Sequence, residues 1–263
     1  MKWILICLCF FSVQPLTAQE KPQSGIALWK GYFDGENDLS KTNNLSTVKN
    51  RDFGQLWTLI DNWFVFGFCG PSFQRMKVKI LIVKQDKKNP VVYHVTLKTK
   101  IKDDIKSFKG DITLYDARMF KTPHKSINPA IGQNIKKEGI VFGKYLFKTD
   151  DKSKPAVQLA GEMCSEWYID AAGVLKYDNI AGENDGFCND LFQGTWKDEQ
   201  THTIQICNWG DYRIPQSRGL DVGKEEFSPS DRCLKYGWQN YRDAFGYKND
   251  KRARMEEEKK WWE

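Results

Sequence analysis

The feature that most constrains this chain is a two-residue alternation of apolar and polar side chains, clearest in KVKILIVKQDKKNPVVYHVTLKTK at 77–100. Val91, Tyr93, Val95 and Leu97 alternate with Val92, His94, Thr96 and Lys98. A strand points successive side chains to opposite faces, so this pattern makes one apolar face and one mostly polar face, with His94 on the wetter side. A helix would scatter the same residues around its circumference. FKGDITLYD at 108–116 repeats the pattern through Ile112 and Leu114. IVFGKYLFKTD at 140–150, a DKSKP turn and AVQLAGEMCSEWYID at 156–170 read as a further hairpin. Gly173 suits the left-handed position of the tight reversal that follows.

Residues 182–215, GENDGFCNDLFQGTWKDEQTHTIQICNWGDYRIP, combine turn chemistry with the same alternation. A polar loop leads into LFQGTW, a polar turn and THTIQI, which gives a hairpin over 192–207 with a decorated mouth. The stretch 51–72 is ambiguous: Asp52 can cap a short helix carrying Phe53, Leu56, Trp57, Ile60 and Phe64, while NWFVFGFCG can equally be a buried strand. SGIALWKGYF at 24–33 reads as a first strand. In SPSDRCLKYGWQNYRDAF, Ser228 can cap, Pro229 suits the first turn, and Leu234, Trp238, Tyr241 and Phe245 share one helical face. The expected fold is mainly β, an antiparallel sandwich or meander barrel with a C-terminal amphipathic helix.

The first residues, MKWILICLCFFSVQPLTAQE, run from a single Lys through an apolar core to small residues. This is the pattern of a secretory signal peptide, 1–19, and predicts a secreted or periplasmic protein. A single mainly-β domain including the helix is expected over 20–247, and a charged tail, frayed or extended as helix and ending in Trp261 and Trp262, over 248–263. No later stretch approaches the ~18 apolar residues of a membrane-spanning helix. The formal charge of +6 becomes +5 once Lys2 is removed, and lysines are interspersed with acids, so no nucleic-acid partner is expected. Export makes Cys69, Cys164, Cys188, Cys207 and Cys233 disulfide candidates. At least one bridge is expected among the C-terminal set Cys164, Cys188, Cys207 and Cys233, with connectivity open.

Chemistry is sparse. GENDGFCND resembles a calcium loop in composition, but aligning Gly186 with the invariant glycine of an EF-hand puts Ala181 at the first ligand position, and no paired C-x-x-C or H-x-x-x-H spacing exists for zinc. No metal or cofactor is expected. There is no G-x-S-x-G phrase, and Cys188 or Cys207 beside His202 lacks a thiol-enzyme signature. A carboxylate pair drawn from Glu162, Glu166, Asp185, Asp190 and Asp211 would suit a hydrolase or lyase only at the right separation. NWGDYRIP gathers groups able to stack on and orient a polar ligand, so Trp196, Trp209, Asp211, Tyr212 and Arg213 are the candidate binding residues. Trp209 is expected to be partly exposed where Asn208, Gly210 and Asp211 end the strand.

FQGTWKDEQTHTIQI, at 192–206, resembles the opening hairpin of avidin-type biotin-binding barrels, and no biotin-contacting residue is carried over. The whole chain, with its TAQE signal end and WGDYRIP phrase, is similar to uncharacterised secreted proteins of Bacteroidota-type bacteria, a resemblance that implies no activity. The expected function is an exported, non-enzymatic binding protein for a glycan or small polar ligand. The alternatives are a secreted hydrolase or lyase, and a cell-surface structural or assembly protein that meets a protein partner through the C-terminal helix or tail.

Overall fold

The computed structural model describes residues 25–32, 38–125, 135–150 and 156–263. The signal peptide expected over 1–19, the turn expected at DKSKP and residues 126–134 lie outside the described residues. The described residues form nine antiparallel strands, in order: β1 Val65–Cys69, β2 Gln74–Gln85, β3 Val92–Ile101, β4 Asp104–Met119, β5 Lys137–Thr149, β6 Val157–Ile169, β7 Leu175–Tyr177, β8 Asn189–Asp198 and β9 Ile204–Asp211. Each barrel strand pairs with the next, β9 returns to β1, and β7 is a short addition beside β8 on β6. The result is a closed eight-stranded meander barrel with a few C-terminal helices, not a sandwich. Closure removes the unpaired edges that a sandwich would keep.

Alternation sorts the side chains as expected. Tyr93, Val95, Leu97, Ile112 and Leu114 are buried inside, while His94 faces solvent between Asp86 and Asp111. An eight-stranded barrel is just wide enough for side chains to fill it, and here rings do so. Phe192 stacks on Trp209 at 4.6 Å, Tyr145 packs against both, and Phe108 meets Trp196 edge-on. Gly161 and Gly194 face each other across β6 and β8. A Cβ on Gly194 would stand 2.5 Å from the Tyr145 hydroxyl, so the glycine pair is what admits that ring.

The ambiguity over 51–72 resolves into both structures at once. Asp52 accepts a hydrogen bond from the Gly54 amide and caps a 3-10 helix, Phe53–Thr58, before the chain enters β1. Phe53, Leu56 and Trp57 join the interior cluster, and Phe53 and Trp57 pack on Trp167 and Tyr93 near the end of the barrel where β9 finishes. The 24–33 segment, expected as a strand, instead forms a 3-10 helix at Gly25–Trp29. Trp29 is buried there in an outer cluster with Phe142, Cys164 and Leu191.

The C-terminal helix is broken where one continuous helix is expected. A 3-10 helix, Asp231–Tyr236, starts after Ser230 rather than Ser228 and ends at Gly237, whose φ of 95° a helix cannot continue through. An α-helix, Gln239–Phe245, follows. The predicted apolar face still works: Trp238 and Tyr241 are buried against Phe66 and Phe68 of β1. The charged tail forms a helix at Lys251–Glu258, capped by Asp250. Its Glu257, almost fully buried, takes a bidentate pair from Arg75 and a third contact from Lys77 at 3.2 Å. Lys77 faces Lys100 and Lys79 faces Lys98 across β2 and β3, like-charge pairs that oppose strand pairing. Glu257 offsets the first pair, while Trp262 docks back over Lys79 at 5.3 Å and accepts from Lys98.

Disulfide pairing differs from the C-terminal set. Cys207 is bonded to Cys69, directly opposite on β1 with Cα atoms 4.3 Å apart, inside the barrel. Cys164, Cys188 and Cys233 are thiols. Cys233 belongs to a cluster on the outer side of the wall, so the barrel separates it from Cys207. No helix among the described residues is long and apolar enough to cross a membrane.

Candidate functional site

The strand that carries NWGDYRIP divides its residues between two environments. Cys207, Trp209 and Asp211 point into the barrel, as period-2 alternation requires. Trp209 is only 2% exposed, so the expected exposure at the strand exit is not found. β9 runs on to Asp211 and pairs with Val65, which keeps Trp209 two residues inside the rim. Trp196, expected beside it in a ligand site, is also buried in the interior, against Phe108. Tyr212 then adopts a left-handed φ of 63°, its amide bonding the Phe64 carbonyl, and leaves the wall. Tyr212 and Arg213 thus reach the outer surface, and the other three candidates do not.

Asp211 instead meets Asp190. Asp190 sits at a positive φ in the β8 bulge between Asn189 and Phe192, a conformation that Asp tolerates better than most residues. Ser165 donates to Asp190 at 2.5 Å, Tyr177 donates to Asp211 at 3.1 Å, and the two carboxyls line one small cavity. Burial pushes Asp190 up to about 7. Burial, then the neighbouring Asp190 charge, pushes Asp211 well above the usual carboxylate range. Two buried like charges side by side do not readily both ionise. The adjoining cavity of about 30 Å³ has room for about one water and none for a sugar ring. This pair therefore lacks the substrate space that glycoside hydrolysis requires.

The other acids are dispersed. Glu162 accepts from the Tyr115 hydroxyl and the Gly25 amide on the outer wall. Glu166 and Asp185 line a cleft of about 270 Å³ that also contains His124, Glu138 and Asp178. Glu138 is 3% exposed and holds the His124 ring through Nδ1 at 2.5 Å. Burial, then the adjacent Glu138, pushes Asp178 up to about 7. His202 lies in the exposed β8–β9 turn. Among the described residues no three His, Cys, Asp or Glu side chains are grouped to hold a metal ion.

The arrangement best suited to a ligand is a groove of about 400 Å³ outside the barrel, between the β1 entrance, the 182–187 loop, the 225–227 loop and the C-terminal helix. Its partly exposed rings are Trp63, Phe64, Phe187, Tyr212 and Phe245. Phe64 stacks on Tyr212 at 4.8 Å, Phe187 meets Tyr212 edge-on at 5.1 Å, and Trp63 contacts both Phe64 and Phe245. Buried Phe66, Phe227 and Tyr241 also line it. Arg213 builds one wall: its guanidinium pairs with Asp221 at 2.7 Å and donates to the carbonyls of Gly223, Lys224 and Glu225. Its fork geometry fixes that loop, and its charge is satisfied there.

Of the five predicted binding residues, the groove unites Tyr212 and Arg213. It takes Trp63, Phe64, Phe187 and Phe245 from segments that were expected to pack or turn and not to bind a ligand. The one available signal was aromatic density, since NWFVFGFCG within 51–72 carries Trp63, Phe64, Phe66 and Phe68 close together. Comparison of the chain with known protein families, with curated proteins and with solved structures finds no match.

Proposed function

We propose that the protein is an exported binding protein for a glycan or small polar ligand, held in the outer groove formed by Trp63, Phe64, Tyr212 and Phe245. One observation carries this reading: the barrel interior is filled with its own rings, while a concave aromatic surface is left open to solvent on the outside. Flat rings offer apolar faces to the C–H groups of a polar ligand, and polar neighbours fix its orientation. Export rests on the signal-like N-terminus. The alternative of a hydrolase or lyase built on the acids between 185 and 211 has less support, because Asp190 and Asp211 are enclosed beside a cavity of only about 30 Å³.

The test is a panel of neutral oligosaccharides, amino sugars, amino acids and small amines, screened by calorimetry against the natural chain and Tyr212→Ala. At least one compound is expected to bind the natural chain and to lose most of its affinity in Tyr212→Ala, with circular dichroism unchanged. Binding that is indifferent to Tyr212→Ala and to Phe64→Ala, or no binding across the panel, overturns the reading.

A further inference from the structure

The aromatic groove carries a charge pattern that its role as a binding site does not by itself require. Four carboxylates, Glu183, Asp185, Glu225 and Glu226, line it, and all four are exposed. None forms an ion pair with a described residue, whereas other exposed acids of this chain, Asp150, Asp231 and Glu256 among them, do. The one cation among the described lining residues, Arg213, is held by Asp221 and three carbonyls. The neighbouring cleft shares Asn184, Asp185 and Phe187 with the groove and adds Glu138 and Asp178 against His124 and Lys125, so it brings no excess of positive charge. A chain with a formal charge of +6 thus gathers four carboxylates without an ion-pair partner among the described residues around its open rings.

Ring faces are themselves electron-rich and attract a cation placed within about 6 Å of the centroid. The protein already uses this contact at the edge of the groove, where the Arg254 guanidinium lies 5.1 Å from the Phe245 ring centre. Trp63, Phe64 and Tyr212 have no such cation among the described residues. An anion would be repelled by the rim, and a neutral sugar could donate hydrogen bonds to it but would gain no charge attraction from it. A compact cation clothed in alkyl groups satisfies both features, since its alkyl shell packs on the rings while its charge meets the carboxylates.

We propose that the ligand of this groove is an alkylammonium ion, a quaternary or alkyl-substituted amine seated against Trp63, Phe64 and Tyr212 and steered there by the four rim carboxylates. The proposal rests on the binding role of the groove and adds the chemical class of what it binds.

Choline is the probe, with 3,3-dimethylbutan-1-ol as its uncharged carbon isostere, and Trp fluorescence and calorimetry as readouts on the full mature chain. Choline is expected to bind about 5- to 30-fold more tightly than the isostere. Tyr212→Ala should weaken both, whereas the double change Glu225→Gln with Glu226→Gln should weaken choline alone and leave the unfolding transition where it was. Flotation with phosphatidylcholine vesicles then tells whether the same head group is taken from a bilayer or only as a free molecule; choline binding supports the proposal in either case. Equal binding of choline and its isostere overturns the cation assignment and leaves the groove as a binding site. So does Tyr212-dependent binding of a neutral saccharide with no response to choline. Failure of choline, isostere and saccharides alike removes both the assignment and the binding role.

Discussion

Replacing Asp190 with Asn should flatten the dependence of stability on pH between about 4 and 7. In the unfolded chain an Asp titrates near 3.8, and in the barrel burial pushes Asp190 up to about 7. Between those values the folded protein holds a proton that the unfolded chain has released, so stability is fully present below 3.8 and is lost as pH rises through about 7. A gap of about 3 pKa units at about 1.4 kcal/mol each gives a loss of about 4 kcal/mol across the window. Asp211 and Asp178 are shifted in the same direction and add to the slope. Glu257 acts oppositely: the Arg75 charge, outweighing the effect of burial, holds it down to about 2, so its contribution is present above 4.5 and is lost as pH falls towards 2. The greatest stability is therefore expected near pH 4 to 5. The amide introduced by Asp190→Asn is close in size to the carboxyl and keeps an acceptor for Ser165, so the fold should survive the change. Urea unfolding at half-unit steps from pH 4 to 8 measures the slope for both chains. The natural protein should fall by about 1.4 kcal/mol per pH unit more steeply than Asp190→Asn. Parallel curves would refute the claim that this carboxyl is neutral in the folded barrel.

Two further outcomes test the packing. Trp209→Ala removes a ring stacked on Phe192 inside a filled barrel and should cost about 3 to 5 kcal/mol in denaturant unfolding, whereas Phe64→Ala, on the open groove, should cost less than half of that. Glu257→Ala leaves Arg75 and Lys77 facing each other without their shared carboxylate. It should cost about 3 kcal/mol and release the tail, seen as loss of hydrogen-exchange protection over the 251–258 helix.

Local chemistry carried much of the fold into the sequence. The alternation at 91–97 fixes which face of β3 is buried, Asp52 announces a cap, and Gly173, at a φ of 83°, marks a turn. Each depends on side chains within a few residues of one another, so each can be read from one stretch of chain. The positions where expectation and structure part are those decided by distant partners. Trp209 is interior because β9 continues two residues further by pairing with β1, far earlier in the chain. Cys207 bonds Cys69 for the same reason, across 138 residues.

The candidate site shows the division most sharply. Tyr212 and Arg213 were legible as residues fit for a ligand, but their neighbours come from 63–66, 182–187, 225–227 and 241–245, which only closure of the barrel and docking of the C-terminal helix bring together. Sequence alone determined that the chain would pair strands, which faces would be apolar and that rings were abundant, because these follow from residue type and a period of two. The choice of barrel over sandwich, the enclosure of Asp190 against Asp211 and the assembly of an aromatic groove with an acidic rim were decided by tertiary structure. These depend on which strand returns to which, and a single chain of residues does not state that pairing locally.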